Sequence, residues 1–205
     1  MGFKDWVEAI VSIIKGLSII IASIVAVRGL NSWRFELKGK KEIELAEQVL
    51  ALFYECRDAI KMIRNPFSFS GEGQTRKRSE NEIENETKLL DQAYVVFERY
   101  EKVKSSFTTL RSLKYRFIIV FGKDSEEPFI KLFQTMNEIL VSSNILAGIY
   151  LSRLKNGSLD PASLEIMKDN EKIFYEMSKD DEINMKVDSA IESIENICKK
   201  TLQKK

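Results

Sequence analysis

Apolar residues are distributed along this chain in two unlike ways. From Ala9 to Val27 they run almost unbroken, AIVSIIKGLSIIIASIVAV, interrupted only by serines, Gly16 and Lys15. From Glu42 onward they recur every three or four positions among many charges, the spacing of amphipathic helices packed on one another. The first pattern predicts a membrane-spanning helix, since 19 residues at about 1.5 Å rise cover about 28 Å, close to a bilayer core of about 30 Å. The second predicts a helical bundle. The expected fold is therefore all-α, with one N-terminal transmembrane helix followed by a cytoplasmic bundle of about five helices. Residues 1–30 form the anchor and 31–205 the bundle domain.

The bundle pattern resolves into segments. Leu45, Val49, Leu52, Cys56, Ala59 and Ile63 make one stripe, and Ala46, Leu50, Phe53 and Ile60 make its neighbour. No proline separates Val27 from Arg64, so the membrane helix can run on into the bundle, with Gly39 its weakest point. Asn65-Pro66 ends that helix, and residues 65–80 (NPFSFSGEGQTRKRSE) read as a loop. A second helix is expected from about Asn81 to Phe121, closed by Gly122. A third runs from about Glu127 to Lys155 on Phe129, Phe133, Met136, Leu140, Ile145, Ile149 and Tyr150. Its run ILVSSNILAGIYL is shorter than a span, so it reads as a buried helix and not a second crossing. Asp160-Pro161 starts a fourth, running to about Met177, and Asp180 to Lys200 gives a fifth.

Flanking charge orients the span. Arg28, Arg34, Lys38, Lys40 and Lys41 follow it, whereas only Lys4 precedes it, so the positive-inside rule places the N-terminus outside and the C-terminal bulk in the cytoplasm. The same basic cluster would attract anionic lipid headgroups, and Trp6 and Trp33 bracket the span as interfacial tryptophans do. Lys15 costs about 2.5–3.5 kcal/mol near the middle of a span. It shares a helix face with Glu8, Ser12, Gly16 and Ser23, and Ser12-x-x-x-Gly16 and Ser18-x-x-x-Ala22-x-x-x-Ala26 are spacings that let helices approach closely. A homo-oligomer joined along this face is one reading. A simple anchor that tolerates one lysine is the other.

Composition narrows the chemistry. The chain of 205 residues has no histidine, which removes histidine-based zinc sites, Ser-His-Asp and Cys-His nucleophile pairs, and Glu-x-x-His di-iron bundles. Its two cysteines, Cys56 and Cys198, fit buried thiols in a reducing compartment. A net charge of +1 argues against a nucleic-acid partner. No metal site and no cofactor is implied.

One stretch has chemical character. In FSFSGEGQTRKR, Gly71 and Gly73 can turn backbone amides toward an anion, Arg76, Lys77 and Arg78 add charge, and Phe67 and Phe69 can stack on a base or a partner. An anion or nucleotide site is the functional reading, and a loop covering the bundle end is the alternative. The following SENEIENE reads as a solvated helix start. The acid-base pairs in Tyr54–Asp58 and Phe97–Tyr100 read as ion pairs between packed helices.

The segment ELAEQVLALFYECRDAIKMIRNPFSFSGEGQTRKR, followed by LLDQAYVVFERYEKVKSSFTTLRSLKYRF, resembles a family of bacterial membrane-anchored helical proteins over about residues 30–150. The resemblance implies a bacterial inner-membrane setting and carries over no catalytic residue. The expected function is a membrane-tethered, non-catalytic interaction or signalling module with a protein partner of unknown identity. An oligomeric membrane effector with a ligand-sensing cytoplasmic domain is the alternative, and a carboxylate- or metal-dependent enzyme comes third.

Overall fold

A computed structural model describes residues 2–178 and 181–203, and among these residues every regular element is helical. The helices are α1 (Phe3–Ile63), α2 (Glu84–Phe121), α3 (Glu127–Asn156), α4 (Pro161–Phe174) and α5 (Glu182–Leu202), with a 3-10 turn at Lys123–Glu126. Anchor-type sequence and bundle-type sequence share one helix, so the described residues form five α-helices. The chain divides into two compact units at Glu44/Leu45.

In the first unit, α1 continues through Gly16, Gly29 and Gly39. It is long and apolar enough to cross a membrane, by length and composition. Every described residue from Ile14 to Leu37 is exposed, including Ile20, Ile21, Ile24, Val25 and Val27. The hydroxyls of Ser18 and Ser23 turn back onto the carbonyls of Ile14 and Ile19, 2.8 Å in each case, so they place no free donor on the helix surface.

The second unit is a bundle whose core is the stripe on α1 read from the sequence. Ala46, Val49, Phe53, Cys56 and Ile60 are fully buried. Contacts along the helices set the directions. Glu55 accepts from Ser106, and Arg99 reaches the carbonyl of Ile63, so α2 runs back along α1. Ser143 donates to the carbonyl of Ala93 and Lys155 pairs with Glu86, which makes α3 antiparallel to α2. Asn184 meets Arg64 and Cys198 meets the carbonyl of Ala46, which makes α5 antiparallel to α1. Phe129 packs edge-on against Phe53 at 5.0 Å and lies 5.5 Å from Phe117, joining α1, α2 and α3 through aromatic faces.

Three boundaries differ from the expectation. Helix α2 starts at Glu84 and not Asn81, because Glu82 is turned away to bind Arg76 and to accept from the amide of Ser79. Helix α4 stops at Phe174 and not Met177, because Arg64 takes the carbonyls of its last turn. Helix α5 starts at Glu182, where Asp181 caps the amide of Asn184 at 2.8 Å. Helix α3 belongs to the bundle as expected, but its buried face is shifted. Leu146 is in the core while Ile145 is exposed. Ser142 and Ser143 are buried, and the short side chain of Ser143 lets α3 lie against the backbone of α2.

Candidate functional site

Two buried arginines organise the end of the bundle that carries the 65–80 loop. Arg64 is the residue after α1 and is fully buried. Its Nε donates to the carbonyl of Ile173, and its Nη2 donates to those of Lys172 and Tyr175, each at 2.8 Å. Nη1 and Nη2 also grip both oxygens of Asp181, at 3.0 and 2.8 Å. A helix leaves its last carbonyls without partners and carries partial negative charge there, so a guanidinium at the end of α4 meets both needs. The carbonyl of Arg64 accepts from the amide of Glu176 at 2.9 Å, which ties the α4–α5 connection to the end of α1.

Arg99 does for α1 what Arg64 does for α4. It lies on α2, donates to the carbonyls of Met62 and Ile63, and reaches those of Asn65 and Phe67 at 2.7 Å. It pairs with Glu72, Nη2 to Oε2 at 2.6 Å. The sequence reading placed Glu98 and Arg99 in ion pairs between helices; both instead face the loop. Glu98 accepts from the amide of Gly73 at 2.8 Å and from the hydroxyl of Thr75 at 2.9 Å. Gly73 has φ +82°, and a Cβ there would lie 1.9 Å from the carbonyl oxygen of Asp91, so only glycine lets the loop lie this close to α2.

The geometry places the anion-site candidates one by one. The Gly73 amide does point at an anion, and that anion is Glu98. Arg76 binds Glu82 and Asp91, and Arg78 shares Asp91 at 3.0 Å. Gly71 has φ +93° and is exposed, as is Lys77. Phe67 and Phe69 are each 81% exposed, although the backbone that carries them is fixed by Arg99, Asn65 and Glu72. The loop is thus pinned by carboxylates of the protein itself, with two phenylalanine rings facing outward.

Electrostatics follow these contacts. The Arg76 guanidinium holds the Glu82 carboxyl down at about 2, and Arg99 holds Glu72 below the usual carboxylate range. A group depressed in the folded state contributes stability above its unfolded value and loses it as pH falls through the folded one. Glu82→Gln should therefore melt below the wild type at pH 6. The gap should close as the pH falls from about 4.5 toward 2, where Glu82 of the wild type becomes protonated. Thermal melts of both proteins across that range measure it; a gap that is constant with pH would contradict the pairing.

In the first unit, Lys15, Gly16, Ala22 and Ala26 are exposed, and nothing stands within 4 Å of a Cβ placed on Gly16. The side chain of Ser12 lies outside the described residues. Arg28, Arg34, Lys38, Lys40 and Lys41 are exposed, and Lys38 reaches Glu42 at 3.9 Å. Among the described residues, no group of three or more cysteine, aspartate or glutamate side chains could hold a metal ion.

The sequence reading missed Arg64 and Arg99 as buried anchors. A signal was present, because Arg64 stands four residues after Ile60 and Arg99 three after Val96, each on an otherwise apolar stripe. Comparison with family models, with curated proteins and with solved structures finds no match to this chain.

Proposed function

We propose that this protein is a membrane-tethered, non-catalytic interaction module. Residues 9–27 cross the bilayer, the basic residues from Arg28 to Lys41 meet anionic headgroups, and the bundle serves as the presented domain on the cytoplasmic side. The observation that carries the reading is the wholly exposed, almost uncharged stretch of α1 from Ile14 to Val27. Apolar surface of this extent is covered in use, by lipid or by other copies of the helix. Inward-turned serine hydroxyls suit a medium without water, which supports lipid as the cover. Small residues beside Lys15 support self-association within it. Burial pushes the Cys56 thiol to about 12 and the Cys198 thiol to about 11, which argues against a cysteine nucleophile.

Membrane fractionation tests the tether. The full chain should stay with membranes through an alkaline carbonate wash. Ile20→Lys combined with Ile24→Lys, which adds about 5–7 kcal/mol to the insertion cost, should release it. Wild-type protein in the carbonate supernatant would overturn the proposal.

A further inference from the structure

The seam between α2 and α3 contains a cleft of about 140 Å³ on the side of the bundle. Tyr100, Phe107 and Phe133 give it aromatic walls, and Leu140 adds an aliphatic one. Tyr100 and Phe107 of α2 lie ring to ring at 5.6 Å, and Phe133 of α3 faces them across the seam. Met136 also lines the cleft, buried together with Phe107. Three polar groups stand around this apolar space: the Tyr100 hydroxyl, the Asn137 amide and the Arg111 guanidinium. None of the three has a hydrogen-bond or ion-pair partner among the described residues. The Arg111 guanidinium carbon lies over the Phe133 ring, 4.7 Å from its centroid, a contact that uses none of its N–H donors in a hydrogen bond. No carboxylate lines the cleft. The acids nearest in sequence, Glu101 and Glu138, are bound by Lys104 and Lys186.

We infer that this cleft is a binding site for a small organic monoanion built on a single planar ring. Its size sets the ring number, because an apolar protein cavity of about 150 Å³ accepts one benzene. The three aromatic walls and the sulfur select a flat, polarisable body over an aliphatic one. Arg111 is the only charge in the lining, and its fork matches a carboxylate. Tyr100 and Asn137 supply further donors at the rim. The site lies outside the 65–80 loop and does not depend on the membrane reading.

The test uses the full chain in detergent with 4-fluorobenzoate as probe and the methyl resonance of Met136 as reporter. That resonance is assigned among the six methionines by Met136→Leu. The methyl signal should shift saturably with probe. Arg111→Ala should weaken binding about tenfold or more, because it removes a charge-assisted hydrogen bond. Arg111→Lys should fall between the two. Asn137→Asp, which sets a carboxylate at the rim, should also weaken binding. Arg111 and Asn137 are exposed, so the melting temperatures of these variants should match the wild type. Absence of a saturable shift, unchanged affinity in both Arg111→Ala and Asn137→Asp, or equally tight binding of uncharged fluorobenzene would each overturn the inference.

Discussion

Arg64→Ala should destabilise the bundle by about 3–5 kcal/mol, the cost of stripping one partner from a buried ion pair. The wild-type side chain has no exposure and satisfies the carbonyls of Lys172, Ile173 and Tyr175 together with the Asp181 carboxylate. Alanine takes the guanidinium from all four groups and leaves the Asp181 carboxylate with only the Asn184 amide as donor among the described residues. Domains of this size are stable by about 5–15 kcal/mol, so the variant should melt far below the wild type or accumulate poorly. Arg64→Met combined with Asp181→Asn separates charge from volume. It restores bulk and removes the stranded charge while a side-chain oxygen still caps the Asn184 amide, so it should recover part of the loss while the α4 carbonyls stay unpaired. Equal melting temperatures for Arg64→Ala and the wild type, measured by circular dichroism in the same detergent, would refute this role.

Gly73→Ala is the second large effect, and it is local. A methyl group 1.9 Å from the Asp91 carbonyl oxygen cannot be accommodated without moving the loop, and a φ of +82° adds about 1–2 kcal/mol for any L side chain. Relief requires Gly73 to leave α2, which breaks its bond to Glu98 and strains the neighbouring Arg76–Asp91 pair. With about 1–3 kcal/mol more for overpacking, the loop should open at least about 30-fold more often, while helices remote from it keep their protection. Chymotrypsin reads this directly, because Phe67 and Phe69 already present their rings and only their fixed backbone resists cleavage. Faster cutting at these two sites is the expected result. Cleavage at the wild-type rate would mean that the loop does not rest on α2 as described.

These two positions also mark where sequence reasoning stops. The apolar stripe from Leu45 to Ile63 was legible and became the core of the bundle, because helical spacing translates into a buried face without reference to any other segment. The cap at Asp160 was legible for the same reason, since its carboxylate accepts from the amide of Ser163, three residues on. The loop was legible as a loop and as a cluster of glycines and cations. Which anions those groups meet was not, because Glu98 and Asp91 lie on α2, 25 and 15 residues from the groups they bind, Gly73 and Arg76. Neither spacing nor composition encodes that meeting. The α2–α3 cleft was hidden more deeply, since Tyr100, Phe107, Phe133 and Met136 all read as core positions on their own helices. Only the packing of one helix on the other leaves a space between them.

By itself, the sequence determined the all-helical class, the segment order, the exposed apolar stretch at the N-terminus and the exclusion of histidine chemistry. Each is a local property, set by residue type and by spacing within one helix. Tertiary structure decided that Arg64 ends α4, that Arg99 and Glu98 hold the loop, and that Arg111 stands free beside an aromatic cleft. Those outcomes depend on where distant backbone carbonyls and carboxylates come to rest. A buried donor must find an acceptor, but the identity of that acceptor is set by how the helices pack and not by the chain near it.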